Sequence, residues 1–186
     1  NTTYTSVNTT AGFSISTYTG NGYSGATVGH GLGAVPEIIW VKALTGSNNW
    51  ACYHVSIGAT KYFRLNSDSA EATSTARWND TAPTNQVFSI GNDGEVNTNG
   101  VPYVAYCWAP KTGFSKFGKY VGNGNSDGSF LYLGFKPNWF FVKRTTQESW
   151  ILTDSKRGTF TEVPYLLADT NNSEGGNLPY DLLSNG

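Results

Sequence analysis

The feature that most constrains this chain is that it repeats itself. Gly12-Phe13-Ser14 returns as Gly113-Phe114-Ser115. Tyr18, Gly20-Asn21-Gly22 and Ser24 return as Tyr120, Gly122-Asn123-Gly124 and Ser126, with one residue inserted. Gly33, Pro36 and Val41-Lys42 then match Gly134, Pro137 and Val142-Lys143, so 12 of the 31 positions from 12 to 42 are identical. Trp50, Gly58 and Asn85 fall opposite Trp150, Gly158 and Asn185. A period of about 100 residues is domain-sized, well above the unit of a solenoid. The expected organisation is a lead-in over 1–11, one domain over 12–110 and a second over 113–186.

The second copy stops before counterparts of 86–91 and 103–109, so it is expected to lack its last two strands. Such a truncation exposes unpaired sheet edges. Together with the absence of any Met, it gives the expectation that the chain is a fragment of a longer protein.

Strand signals dominate within each copy. Runs rich in Ile, Val, Thr and aromatics occur at 13–19, 37–44, 50–55, 61–65, 87–90 and 103–108, and again at 117–121, 130–133, 139–143 and 150–153. Asn/Gly/Asp clusters such as Gly20-Asn21-Gly22 and Asn92-Asp93-Gly94 separate them as turns. Pro36 and Pro137 precede runs that are apolar on both faces, which places those strands centrally between two layers. One segment, 68–78, has a helical start signal in Asp68 with Glu71, but its Ser/Thr content suits a single turn or loop equally well. The fold class expected is all-β: two tandem, jelly-roll-like β-sandwich domains.

Composition excludes several functions. The 18 Asn, 17 Ser, 22 Thr and 22 Gly suggest low complexity, but 6 Trp, 11 Tyr and 10 Phe argue for a packed protein. Twelve basic and thirteen acidic residues give a net charge of −1, with no basic patch for a nucleic acid. No apolar run is long enough for a membrane helix, and no signal peptide is visible. Cys52 and Cys107 lie in apolar segments and read as two buried free thiols, since one disulfide would not staple a chain of this size. With only His30 and His54 to join them, no zinc spacing exists.

Candidate chemistry is sparse. Gly20-Asn21-Gly22-Tyr23-Ser24-Gly25 matches a dinucleotide fingerprint in letters, but no helix pattern follows to hold a pyrophosphate, so it reads as a turn. No nucleophile elbow is present. His54 and Ser56 lack a third partner, and His54 stands opposite Asp154 in the second copy. Glu37, Asp80, Asp93, Glu95 and Asp154 cannot be paired across a cleft from sequence. Asn92-Asp93-Gly94-Glu95 and residues 123–128 offer oxygens without EF-hand spacing, and Asx-turns account for them. No catalytic residue, metal or cofactor is expected. The remaining candidate is Trp78, flanked by Arg77, Asn79 and Asp80: an aromatic platform with hydrogen-bonding neighbours for a sugar, set against a Trp that folds its loop onto the sandwich.

Four strings carry a family resemblance: Thr17-Tyr18-Thr19-Gly20-Asn21-Gly22; Gly33-Ala34-Val35-Pro36-Glu37-Ile38-Ile39-Trp40-Val41-Lys42; Asp154-Ser155-Lys156-Arg157-Gly158; and Tyr103-Val104-Ala105-Tyr106-Cys107-Trp108-Ala109. Together they resemble the tandem β-domain of tail-fibre and virion structural proteins of tailed phages, marine ones above all. The first copy departs from this pattern, carrying His54-Val55-Ser56-Ile57-Gly58 where the second has the Asp-Ser-x-Arg-Gly string. The resemblance implies a non-enzymatic virion component, a homotrimer among other virion proteins, that adsorbs to host-surface glycan. The alternatives are a carbohydrate-binding module of a secreted or surface protein, and a capsid-decorating fibre.

Overall fold

The computed structural model describes residues 1–125, 127–157, 163–178 and 181–186, with the backbone alone at Asn177. The repeat matches at Ser126 and Gly158 lie outside the described residues. The fold is all-β, in two compact units: Asn1–Leu65 with Glu71–Lys111, and Asn66–Ala70 with Thr112–Gly186. Thirteen strands and one helical turn are present among the described residues.

The first unit holds β1 (Thr3–Asn8), β2 (Phe13–Thr19), β3 (Ala26–Gly29), β4 (Ile38–Ala43), β5 (Ala51–His54), β6 (Lys61–Arg64), β7 (Ala72–Thr73), α1 (Thr75–Trp78), β8 (Val87–Ile90) and β9 (Pro102–Trp108). Its main sheet runs β1-β2-β9-β4-β5-β6-β7, and β3 pairs with β8 in a separate ribbon. The pairing is antiparallel throughout. Residues 1–11 are therefore no lead-in: β1 is an edge strand of the main sheet.

Alternation along the strands decides the two faces. Tyr18, Ile39, Val41, Tyr53, Tyr103, Ala105 and Cys107 point to the core, where Val28, Phe88 and Ile90 of the β3–β8 ribbon join them. Trp78 and Val96 complete that core. The strand β4 is central in its sheet, as its apolar run implies. Its outward residues Ile38 and Trp40 are only half-buried, so no full second layer covers that face. The strand β2 reverses the usual pattern, with Ser14 and Ser16 buried and Ile15 exposed. Small residues suit the inner side there, because Ser16 Oγ donates to the Gly29 carbonyl of β3 at 3.0 Å.

The two cysteines flank β4 on opposite faces. Cys107 pairs with Ile39 and Cys52 with Trp40, and neighbouring residues of a strand point to opposite sides. Both are free and buried, as expected, and they cannot bridge across the sheet. Burial pushes the Cys107 thiol up to about 12 and the Cys52 thiol higher still.

The helix is one turn. Ser74 caps it by accepting the Ala76 N–H at 3.2 Å, and Asn79 ends it in the left-handed region at φ 53°. Asp68 does not start a helix, because its carbonyl accepts the Glu148 N–H at 2.9 Å and its carboxylate the Gln147 amide at 2.9 Å. Glu71, the other half of the expected box, is ion-paired with Lys61.

The second unit carries β10 (Trp139–Val142), β11 (Ile151–Asp154), β12 (Val163–Leu167) and β13 (Gly175–Leu178), in one antiparallel sheet of that order. The first unit's β4-β5-β6-β7 has the same order and sense. Trp139 lies opposite Asp154 as Ile38 lies opposite His54. The next bonds also correspond, Ser155 N–H to Asn138 O at 2.9 Å and Val55 N–H to Glu37 O at 2.8 Å. The likeness ends with this meander. The strands expected at 117–121 and 130–133 are absent from the structure, and β10 is terminal in its sheet, with Trp139 52 % exposed, where a central buried strand was expected. In the first unit, β2 is held between β1 and β9. No strand among the described residues of the second unit offers residues 117–121 such a pair of partners.

Candidate functional site

Sequence leaves two readings of Trp78, a sugar platform or a ring that folds its loop onto the sandwich, and its burial fits the second. Trp78 is 1 % exposed, edge-on to Tyr53 at a centroid distance of 5.9 Å, deep in the core. A ring with both faces packed has none to offer a ligand, so the loop-folding role holds. Arg77 is buried beside it. Asn79 and Asp80 both take left-handed backbone (φ 53° and 48°), and Asn79 Oδ1 accepts the Ser24 hydroxyl at 3.0 Å. Of the four expected residues, only Asp80 is exposed. They do not converge on a site.

Arg77 instead anchors a charged cluster that the sequence did not reveal. Its guanidinium lies 4.4 Å above the Tyr62 ring and pairs with Asp93 and, through Nη2, with Glu95 Oε2 at 2.9 Å. Arg64 Nε and Asn49 Nδ2 donate to Glu95 Oε1 at 2.9 and 3.0 Å. Burial lowers the Arg77 pKa from its ordinary value, and Glu95 opposes that shift. The Asp93 and Glu95 carboxylates are thus paired with guanidinium groups. Among the described residues, no group of three or more His, Cys, Asp or Glu could hold a metal.

The loop around this cluster is rigidly tied. Tyr18 and Tyr103 donate their hydroxyls to the Val96 and Gly94 carbonyls at 2.7 and 2.8 Å. Asn97, fully buried, donates to the Tyr23 and Gly91 carbonyls at 2.9 and 2.8 Å and accepts the Asn21 N–H at 2.8 Å. The Gly20-Asn21-Gly22 turn is therefore clamped to the loop by Asn97, in keeping with its reading as a turn. Gly91 allows a close approach to the helical turn, since a Cβ there would sit 2.3 Å from the Ala76 carbonyl oxygen.

The departure between the two copies at 54 and 154 has a local explanation. Asp154 Oδ1 accepts the Lys156 N–H at 2.9 Å, and His54 Nδ1 accepts the Ser56 N–H at 3.0 Å. One turn is capped by two different acceptors. Asp154 also takes Arg157 Nε at 2.8 Å, and Arg157 reaches Glu174 at 2.6 Å, a structural knot at the surface.

His30 makes the same use of Nδ1, accepting the Leu32 N–H at 3.2 Å while Nε2 donates to the Thr84 carbonyl at 3.1 Å. Both histidines are thereby neutral, and burial lowers both pKa values from 6.5. The unfolded chain takes up protons at these sites before the folded one does. Their contribution to stability is thus complete above about pH 6.5 and lost as pH falls through the lowered folded values. We expect the thermal midpoint of the protein to fall between pH 7.5 and 5. In His54→Asp the fall should be smaller, because a carboxylate keeps accepting the Ser56 N–H; an equal fall in both proteins would show that His54 does not contribute.

The accessible chemistry lies on the outer face of the main sheet. Rings from β2, β4 and β9 form a ladder: Phe13–Trp108 at 5.0 Å, Tyr106–Trp108 at 6.2 Å, Phe13–Tyr106 at 6.5 Å and Trp40–Trp108 at 4.7 Å. These rings are half-buried, while Tyr4 (80 % exposed) and Ile15 on the same face are open. Period-two spacing of Val104, Tyr106 and Trp108 in β9 was the available signal for this ladder.

An all-β protein with a sandwich-like first unit, an internal charged clamp and an aromatic sheet face is the class these features define. The chain belongs to the family described as a domain of unknown function (DUF7483), whose model matches residues 1–186. No curated protein and no solved structure matches it.

Proposed function

We propose that this chain is a non-enzymatic segment of a phage surface appendage, of the tail-fibre kind, which contacts host-surface glycan through the outer face of its first unit. The tandem strings described above support the appendage reading. The aromatic ladder carries the binding reading: Trp108, Tyr106 and Phe13 present half-open rings beside exposed Tyr4. Contiguous aromatic surface of this kind marks an interaction site. Rings with a polar edge suit a partner that is apolar on one side and hydroxylated on the other, as a pyranose is. The carboxylates of the charged cluster, meanwhile, are engaged by arginines.

The test is tryptophan fluorescence and calorimetry against a panel of bacterial surface polysaccharides. A ligand found this way should bind at least about tenfold more weakly to Trp108→Ala, the loss of one interfacial anchor. Unchanged affinity in Trp108→Ala would remove the ladder from the proposal. Adsorption of the protein to whole cells, competed by the same polysaccharide, tests the appendage role. A carbohydrate-binding module would share the ladder but bind soluble plant or storage glycans in preference to cell-surface ones.

A further inference from the structure

We infer that β1 is a self-association edge, where two copies of this chain join their sheets antiparallel. The two ends of the main sheet differ. At one, β7 is two residues long and follows ion-paired Glu71, a short and charged edge of the protected sort. At the other, β1 is six residues, Thr-Tyr-Thr-Ser-Val-Asn, with no charge and no proline, and every residue but Thr3 is exposed. None of the usual edge defences is present there.

The hydrogen-bond parity shows which groups the edge offers. Ala109 N–H donates to Gly12 O, and Gly20 N–H to Val101 O, each at 2.8 Å. Even-numbered residues of β2 therefore bond to β9, and Phe13, Ile15 and Thr17 bond to β1 opposite Asn8, Ser6 and Tyr4. By the same alternation, the N–H and C=O groups of Thr3, Thr5 and Val7 point away from the sheet. Thr5 Oγ1 is held by Ser16 Oγ at 2.8 Å, which keeps β1 seated in its own sheet.

A second copy fits this edge by symmetry. Outward residues must face outward residues, so the longest register sets Thr5 against its own copy on a two-fold axis. Thr3 then meets the second copy's Val7, and Tyr4 meets its Ser6. β-Branched residues line one side of the junction, and an uncharged strand meets its copy without repulsion. Directly opposite residues share a face, so the two main sheets become one with both aromatic ladders on the same side. The pairing does not depend on the glycan reading, although it would double that platform. It is also distinct from the three-fold assembly implied by the family resemblance.

Light scattering and sedimentation of the 186-residue protein test this. At high protein concentration the mass should be twice 20.1 kDa, falling on dilution. Thr5→Pro removes one outward N–H and spares the bonds to β2, while Thr5→Lys sets like charges opposite each other on the axis. Both should keep the single-copy mass with an unchanged circular dichroism spectrum. The double variant Tyr4→Cys/Ser6→Cys should form a covalently linked two-copy species under mild oxidation, because non-hydrogen-bonded pairs bring Cα atoms to about 4.5 Å. Cys52 and Cys107, both buried, do not compete. A single-copy mass at all concentrations overturns the inference. So does a three-copy mass indifferent to both Thr5 substitutions, or the lack of a linked species.

Discussion

Arg77→Ala should destabilise the first unit by about 3–5 kcal/mol, the cost of breaking a buried ion pair from one side. The reason lies in what remains. Glu95 has a side chain only 8 % exposed and would keep Arg64, at the cluster's partly open side, but lose its buried partner. Asp93 would lose its pairing too, and Tyr62 the cation above its ring. These residues link the helical turn, β6 and the loop after β8, and Asp93 N–H bonds to the Ala76 carbonyl at 3.1 Å in the same junction. For a unit of this size such a loss lowers the thermal midpoint by on the order of 15 °C or more. Urea unfolding monitored by tryptophan fluorescence measures it. The comparison that isolates the charge is Arg77→Met with Glu95→Gln: removing both partners should cost much less than removing one. A loss below about 1 kcal/mol in Arg77→Ala would mean that water replaces the guanidinium, and that the cluster is not closed.

That cluster shows where reading a sequence stops. The strands were legible because their signals are local. Pro36 before an apolar run placed β4, and the aromatic and β-branched run at 103–108 placed β9 within one residue. The strand β1 escaped because Thr-Tyr-Thr-Ser-Val-Asn alternates nothing: an edge strand exposed on both sides has no hydrophobic period to read. The strands expected at 117–121 and 130–133 had a sequence signal, but a strand also needs a neighbour to pair with. Arg77, Asp93, Glu95 and Arg64 stand up to 31 residues apart, and only the β6–β7 turn and the loop after β8 bring them together. Trp78 misled for a related reason. Its polar neighbours Arg77, Asn79 and Asp80 suggest a surface stretch, yet Arg77 is buried with it, and Asn79 and Asp80 turn the chain back out through left-handed backbone.

Trp78→Ala is the substitution that separates the two roles a tryptophan can take in this protein. The ring is 1 % exposed, stands edge-on to Tyr53 and shares the core with Val28, Phe88 and Ile90. Its removal leaves a cavity in the core that the main sheet shares with the β3–β8 ribbon, so a loss of about 3–5 kcal/mol is expected. The indole N–H has no hydrogen-bond partner among the described residues, which means that the ring contributes by packing alone. Trp78→Phe should therefore retain most of the stability that Trp78→Ala loses, although the smaller ring fills less of the space. In chemical denaturation the order should be wild type, then Trp78→Phe, then Trp78→Ala. Trp108 differs, since its half-open ring packs on the outer face against Phe13 and Trp40. Trp108→Ala should cost less stability than Trp78→Ala and lose the polysaccharide, while folded Trp78→Phe binds it as the wild type does. The reverse pattern, with binding lost in Trp78→Phe and kept in Trp108→Ala, would return the ligand to the loop at Trp78 and require that loop to open.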